Sequence, residues 1–442
     1  VNRVPRWLLC CATVGVVLGF AKLHAARVGH YEIVETGRLP WLLAFIGLLL
    51  LASYGAGLPD MANRRGSRSA LPASFAATAG SAAVISVLQI ADGAAHLPRF
   101  VVLASAAVLT PTYAMIALLA RGRQQRTEDR ERVVVVAEDG EAEILTAELN
   151  RTSERPALVV GTLSGLDARH DYPASQPLLE MVRRTQATVV VLDLNAQAET
   201  DVIAQAAELH ATGVRVRTLE AFYDEWLGKL PHGELERLSL MFDIQELHNR
   251  LYGRMKRLMD FAAGAAGVVV LAAVLPVVAL ANRFGNHGPL FFSQPRTGKN
   301  GATFNILKFR TMVPSSTSAG TWTSDDDPRI TRVGKWLRRT HVDEIPQALN
   351  LLRGDISLVG PRPEQPHYVE DLCEKIPFYA LRHTVRPGLT GWAQVKYPYG
   401  ASDFDALEKL QFEFFYLRHQ SLWLDACIVV RTIRSVIGRA GR

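Results

Sequence analysis

Lys335-Trp-Leu-Arg338-Arg339-Thr340-His341-Val-Asp343-Glu344-Ile-Pro346-Gln347-Ala-Leu-Asn350, continuing Leu-Leu-Arg353-Gly354-Asp355-Ile-Ser357-Leu-Val-Gly360-Pro361-Arg362-Pro363, is the stretch that organises the chain. It is dense in charge, yet it sits between apolar positions that read as core. Arg338 and Arg339 precede two adjacent carboxylates, and Arg362 follows between two prolines. Cations flanking an acidic pair suit a site that handles phosphate esters with a divalent metal. Thr340 can cap a helix with Asp343 three residues on, or the helix can begin near Pro346. Either way Asp343 and Glu344 lie near a helix N-terminus, where the dipole favours the ionised carboxylate. Adjacent helical residues point in different directions, so the two acids can take separate roles. Leu349 and Leu352 give the helix an apolar face and Gly354 can end it. Residues 356–359 read as a short strand, and Gly360-Pro361-Arg362-Pro363 as a stiff turn that fixes where Arg362 points. The competing reading is a capping acid with solvated charges around a packed helix; the convergence of so many charges speaks against it.

A chain of 442 residues holds two or three domains. It is 48% hydrophobic, and its net charge of +6 suits an anionic partner such as a membrane surface. No recognisable nucleic-acid module is present, so no nucleic-acid partner is expected. Cys10, Cys11, Cys373 and Cys427 form no ligand spacing and read as reduced thiols. Four apolar runs, residues 7–23, 40–58, 71–91 and 97–119, each approach the ~20 residues a membrane-crossing helix needs. Arg3 and Arg6 before the first run would suit a signal peptide, but three further runs favour a span. Basic residues at Arg64, Arg65, Arg68, Arg121, Arg123 and Arg126 place both ends of this anchor, residues 1–120, on the cytoplasmic side. The spans contain no acid, Asp92 falling just past the third, so an anchor is expected rather than a transport path.

A charged linker, residues 121–132, leads into a strand-and-helix alternation over 133–230. Residues 133–137, 157–162 and 187–193 read as buried parallel strands, and residues 214–218 as a fourth. A phosphate-binding loop should follow the first strand of such a domain. Ala137-Glu138-Asp139-Gly140-Glu141 lacks the glycine pattern, and its acids would repel a pyrophosphate. A structural or regulatory role is expected. A second linker, 231–253, precedes the region 254–442. Its apolar run, 258–281, is long enough to span, but crossing would place Asp343, Glu344 and the arginines outside. Pro276 lies inside the run and would break or bend it. A re-entrant helix satisfies both facts, with Arg254, Lys256, Arg257 and Arg283 at one headgroup level. Residues 290–294 and 303–309 form a hairpin, with Lys308 and Arg310 leaving it as candidate phosphate contacts. Residues 315–323 read as a mobile polar loop and Asp325-Asp-Asp327 as a solvated acidic turn. The helices 403–419 and 421–437 carry Phe404, Leu407, Phe412, Phe415, Tyr416, Trp423, Ile428 and Val429. The last can lie in the membrane interface or pack on the core.

Several motifs together resemble one family. They are Lys256-Arg257-Leu-Met-Asp260, Pro289-Leu-Phe-Phe-Ser-Gln294, Lys308-Phe-Arg310-Thr-Met312, Asp327-Pro-Arg329-Ile-Thr-Arg332-Val-Gly334, the acidic stretch itself, and Arg386-Pro387-Gly388-Leu-Thr390-Gly391-Trp392-Ala-Gln394. In this order, from about residue 256 to 432, they are similar to the bacterial sugar transferases, the polyprenyl-phosphate hexose-1-phosphate transferases. The resemblance is to the monotopic phosphoglycosyl transferase type in its long form, with a four-helix membrane bundle. It implies an α+β membrane protein: a four-helix transmembrane bundle, a small Rossmann-like α/β domain, and a catalytic domain with a re-entrant helix and amphipathic interface helices. Many relatives have Ser before the helix-breaking proline, where this chain has Leu275. The implied reaction moves a hexose-1-phosphate, glucose or galactose favoured, from a UDP-sugar to undecaprenyl phosphate and releases UMP. This step would start exopolysaccharide, capsule or O-antigen assembly at the bacterial inner membrane. By motif position Asp343 is the nucleophile, forming a phosphosugar-aspartyl intermediate, and Mg²⁺ is held by Asp343 and Glu344. Lys308, Arg338 and Arg362 hold phosphate, and Gln394 and Asp425 complete the pocket. Membrane lipids and a second copy of the chain, as a homodimer, are the remaining expected partners. The alternatives are a catalytically idle scaffold for polysaccharide assembly and a single-displacement enzyme with Asp343 as a base.

Overall fold

The computed structural model describes residues 4–29, 37–58, 70–93, 96–124, 131–152, 157–169, 175–231, 250–286, 288–313, 327, 329–397 and 402–437. The basic loop at Arg64–Arg68, the expected mobile loop 315–323, Asp325, Asp326 and most of the linker 231–253 lie outside them. The chain divides into two compact units, Val1–Gly228 and Lys229–Arg442. It is mostly helical with some sheet. Among the described residues, four helices are long and apolar enough to cross a membrane: Trp7–Gly29, Ala70–Asp92, Arg99–Leu119 and Leu251–Gly285. These fit a membrane-associated protein.

In the first unit, helices α1 (Val4–His24), α2 (Leu39–Gly55), α3 (Ala70–Asp92) and α4 (Arg99–Gln124) share a core that includes Leu9, Val17, Phe45, Leu49, Ile85, Val101 and Leu109. The second apolar run becomes a helix of 17 residues, the shortest of the four. At 1.5 Å per residue it covers about 25 Å, less than the ~30 Å of a hydrocarbon core. The chain leaves it through Gly57 at φ 68°, a left-handed conformation that glycine adopts without penalty. Two buried hydroxyls find partners across helices, Thr13 with Tyr113 at 2.6 Å and Thr78 with Thr110 at 2.7 Å, while Ser105 Oγ is buried with no partner among the described residues. An unpaired hydroxyl in so apolar a core is costly.

The α/β part contains strands β1 (Glu131–Val136), β2 (Ala157–Leu163), β3 (Val189–Leu192) and β4 (Arg215–Thr218), all parallel in the order β2-β1-β3-β4. Strand residues alternate between two cores, as a period of two requires. Val133, Val135, Val189 and Val191 pack with Leu145, Phe222 and Trp226; Val134, Val136, Val190 and Leu192 pack with Leu179, Val202 and Leu209. At the end of β1 the Glu138 N–H donates to Asp193 Oδ2 at 3.2 Å, and the Asn195 amide donates to Glu138 Oε1 at 2.8 Å. Carboxylates therefore occupy the crevice between β1 and β3 where this topology would otherwise receive a phosphate.

The second unit is built along a 36-residue helix, Arg250–Gly285. Both of its ends are tied to the same body. At one end buried Asp260 accepts from Ser357 Oγ at 2.9 Å and the Leu358 N–H at 2.8 Å. At the other, the Asn286 amide donates to Arg310 O at 2.7 Å and the Asn282 amide to Gly288 O at 3.0 Å. Leu271 and Val278 pack between them against Phe309 and Leu337. The opposite side exposes Leu258, Phe261, Val269, Val277, Leu280 and Phe284. Pro276 does not break the helix, which continues to Gly285. Proline forfeits one backbone bond, and the packing of Leu271 and Val278 on either side of it holds the turn. Two cations expected at headgroup level turn inward instead. Lys256 pairs with Asp425 at 2.7 Å, and Arg257 donates to Leu351 O and Leu352 O at 2.7 Å each. The helix Asp403–Arg418 is buried on two sides, Leu410, Phe414 and Leu417 in one core and Phe412 and Tyr416 in another, while Phe404 is exposed. The last helix, Leu422–Ile437, buries Cys427 and Ile428 and exposes Trp423 and Ile433.

Candidate active site

Strands β5 (Phe291–Thr297) and β6 (Thr303–Phe309) form the expected antiparallel hairpin, with Phe292 opposite Lys308. The helix Arg332–Arg339 lies against the end of β6. Thr331 caps it, accepting from the Gly334 N–H at 2.9 Å, and a Cβ at Gly334 would overlap the Thr311 carbonyl oxygen. Only glycine permits this approach, which brings Arg338 Nε to 3.0 Å from Thr311 Oγ1. Thr340 does not begin a new helix. It ends this one, its hydroxyl donating to Trp336 O at 2.9 Å. The chain then reverses at His341, φ 55°, an uncommon left-handed conformation for a residue with a Cβ. A 3-10 helix, Val342–Gln347, follows, with Asp343 and Glu344 in its first turn, and Ala348–Arg353 continues as α-helix to Gly354.

The two acids sit in different electrostatic environments. Asp343 is 9% exposed, and burial, then the charge of Glu344, push its carboxyl from 3.8 up to about 6. Glu344 is also penalised by burial, but Lys308 and Arg362 outweigh this and hold it below the usual range. Lys308 Nζ donates to Glu344 Oε1 at 2.6 Å. Side by side, one carboxylate is firmly ionised and paired while its neighbour is destabilised as an anion.

Arg362 is placed by two short parallel strands, β7 (Ser357–Val359) and β8 (Gly388–Thr390). The Gly360 N–H donates to Thr390 O at 2.9 Å, and the Gly388 N–H to Pro361 O at 2.8 Å. A Cβ at Gly360 or Gly388 would collide with the facing backbone, which explains the glycines of Gly360-Pro361 and Pro387-Gly388. A buried ion pair supports the turn from behind: Arg382 donates to both Glu413 oxygens at 2.7 Å and to Arg362 O at 3.0 Å. The Arg362 guanidinium is left with no ion-pair partner among the described residues.

Glu344, Arg362 and Gln394 line a cavity of about 1430 Å³. Its apolar wall is formed by Gly267, Val270, Leu358, Val429 and Ile433, among others. Gln394 Oε1 is buried there without a hydrogen-bond partner among the described residues. Asp343 and Lys308 reach Glu344 without lining this space. Asp425 is not in the lining either. It is buried, accepting from Lys256 Nζ at 2.7 Å, Tyr252 OH at 2.9 Å and Tyr416 OH at 2.8 Å. Arg310, read from the sequence as a phosphate contact, is buried and spends its guanidinium on the carbonyls of Pro289, Asn286 and Met312. Asp260, Arg382 and Glu413 escaped the sequence reading. Asp260 stands in the quoted Lys256–Asp260 motif, but nothing local marks Arg382 or Glu413.

The described residues include no group of three or more His, Cys, Asp or Glu side chains able to hold a metal on their own. Two adjacent carboxylates are the donor set that suits Mg²⁺, which is bound through one or two carboxylates together with substrate phosphate.

Comparison with known proteins finds relatives of the region that holds this site. The family described as "Bacterial sugar transferase" matches residues 251–439. An Aeromonas hydrophila UDP-N-acetylgalactosamine-undecaprenyl-phosphate N-acetylgalactosaminephosphotransferase is 42% identical over 192 residues, 43% of this chain and 45% of that protein. A Caulobacter vibrioides UDP-glucose:undecaprenyl-phosphate glucose-1-phosphate transferase is 41% identical over 185 residues, 41% of this chain and 69% of that protein. An uncharacterized Bacillus subtilis sugar transferase is 36% identical over 187 residues, 42% of this chain and 89% of that protein. The match spans less than half the length of several curated relatives, the Aeromonas protein among them. The matched region contains the hairpin, the acid pair and the turns at Gly360-Pro361 and Pro387-Gly388, and the chain belongs to the bacterial sugar transferase family.

Proposed function

We propose that the chain transfers a hexose-1-phosphate from a UDP-sugar to undecaprenyl phosphate. The observation that carries this reading is the acid pair, one carboxylate buried and destabilised as an anion and its neighbour held by Lys308, beside a cavity with cationic and apolar walls. Ionised Asp343 attacks the phosphorus that bears the sugar, and the bond to the UMP oxygen breaks, releasing UMP. A phosphate oxygen of the lipid then attacks the same phosphorus, and the Asp343–phosphorus bond breaks to give the lipid diphosphate sugar. A carboxylate raised to about 6 is both ionised near neutral pH and a better nucleophile than an ordinary one. Arg362 and Arg338 offset phosphate charge, Lys308 orients Glu344, and the unpaired Gln394 oxygen can accept from a substrate hydroxyl. Asp343 and Glu344 would hold Mg²⁺, which would neutralise diphosphate charge. Asp425 supports the site through Lys256 and the two tyrosines. The names of the Aeromonas and Caulobacter relatives support the overall transfer from a UDP-sugar to undecaprenyl phosphate.

We read the helix Arg250–Gly285 as re-entrant, a bend at Pro276 without a break in the helix returning it to the cytoplasmic face of the bilayer. Its support is the attachment of both helix ends to one folded unit, with an apolar stripe on the other side. Single cysteines at Arg254 and Arg283, with the four native cysteines removed, should both label from the cytoplasmic side of vesicles. Labelling of Arg283 from outside only would end this topology. The chemistry is tested with purified protein, undecaprenyl phosphate, Mg²⁺ and a panel of UDP-glucose, UDP-galactose and UDP-N-acetylgalactosamine. UMP release and a trapped covalent phosphosugar are expected. UMP release that never passes through a protein-bound phosphosugar would leave Asp343 as a base, and no release at all would favour a scaffold.

A further inference from the structure

We propose that Arg296 is a further substrate-binding residue that, with Lys308 and Arg362, forms a cationic track for the donor diphosphate. The inference rests on the transferase reading above. The hairpin register sets Phe292 opposite Lys308, Gln294 opposite Ile306 and Arg296 opposite Phe304. Opposed residues of an antiparallel pair share a face, and every second residue returns to it. Lys308, Gln294 and Arg296 therefore stand on one face of the hairpin. Their outer positions are four residues apart, about 13 Å along the strand. Long side chains at the two ends can serve a diphosphate lying between them.

Each end of this face meets a different part of the site. Lys308 reaches Glu344 at 2.6 Å. Arg296 reaches the turn that carries Arg362, with Nη1 donating to Pro363 O at 3.2 Å, while Nη2 donates to Gln294 Oε1 at 2.9 Å. The Thr297 N–H donates to Glu364 O at 2.9 Å and joins the strand to the same turn.

Arg296 is incompletely satisfied there. Its side chain is 16% exposed, and Glu364 stands 3.8 Å away, too far for a hydrogen bond. Its Nε is buried with no partner among the described residues. Burial lowers its pKa; Glu364 offsets part of that, and neighbouring Arg362 adds to it. A largely buried guanidinium with an idle donor and only a distant carboxylate, set just behind the cavity lining beside Arg362, is partly compensated and gains from a nearer anion. Its planar fork suits two oxygens of a phosphate.

The test compares the full-length protein in nanodiscs with Arg296→Gln and Arg296→Lys. UDP is the probe for calorimetric binding, and UMP release gives the kinetics. Arg296→Gln should weaken UDP binding about tenfold or more and raise the donor KM in parallel, as expected for the loss of a charge-assisted contact. The kcat should change less than about threefold, and the KM for undecaprenyl phosphate should hold. Arg296→Lys keeps the charge and loses the fork, so it should fall between, and it decides the matter if the glutamine variant does not fold. Unchanged UDP affinity in a folded variant overturns the proposal, as does a loss confined to thermal stability. A wild type that binds UDP yet releases no UMP refutes the transferase reading alone. Turnover indifferent to residue 296 refutes this inference alone, and a wild type that binds no UDP overturns both.

Discussion

Replacing Asp343 with Asn should stabilise the folded protein at neutral pH while abolishing turnover. Burial, then Glu344, raise the carboxyl from 3.8 to about 6, against the pull of Lys308, Arg338 and His341. An acid raised in this way favours the folded state only while protonated. Its contribution is complete below pH 3.8 and is lost as pH rises through about 6. At ~1.4 kcal/mol per pH unit, ionised Asp343 costs the fold about 3 kcal/mol at pH 7 and above. Asn keeps the shape without the charge, so the variant should gain ~1–3 kcal/mol, a rise in midpoint of roughly 3–10 °C. The gain should vanish near pH 4. Thermal unfolding of both proteins in one detergent at pH 4, 6 and 8, followed by tryptophan fluorescence, reads it directly. A variant less stable than wild type at pH 8, or a gain equal at pH 4 and pH 8, would refute the argument that burial destabilises this carboxylate.

The pH dependence of kcat/KM should climb through about 6 and then level, because only ionised Asp343 attacks; a flat profile from pH 5 to 8 would remove it as nucleophile. Lys308→Met removes both the partner of Glu344 and a group that lowers the Asp343 pKa, so the acid limb should move to higher pH and the rate at pH 7 fall about tenfold or more. An unmoved limb would show that Lys308 does not act on the acid pair. Arg382→Met should cost ~3–5 kcal/mol by stranding buried Glu413, while the double change Arg382→Met, Glu413→Leu should regain most stability but not activity. A fully active double variant would mean that the pair does not position Arg362.

The acid pair and Arg362 were legible because they are local: adjacent carboxylates, then a turn whose glycines and prolines leave the backbone few choices. The long helices were legible from apolar length. Residues 40–58 mislead because length is counted before the chain's exit at Gly57 is known. Arg310 and Lys256 were misread because a cation at an element's end looks solvent-bound until the fold supplies carbonyls or Asp425 to receive it. Arg382 and Glu413 are 31 positions apart, and Asp260 and Ser357 are 97 apart. Such pairs leave no periodicity to read.

The clamps at both ends of the helix Arg250–Gly285 also bear on inheritance. A catalytic unit fastened along its own apolar helix carries its foothold with it. It asks nothing particular of whatever is joined upstream. In the Bacillus relative the matched region makes up 89% of the protein, so little else accompanies it there. The unit itself begins ahead of the helix, at buried Lys229, which pairs with Glu408 at 3.0 Å, and Leu230, which packs on Leu410 and Phe414. Asp260 and Asn286 hold that helix to the strand Ser357–Val359 and to the end of the hairpin, so helix and site scaffold form one piece.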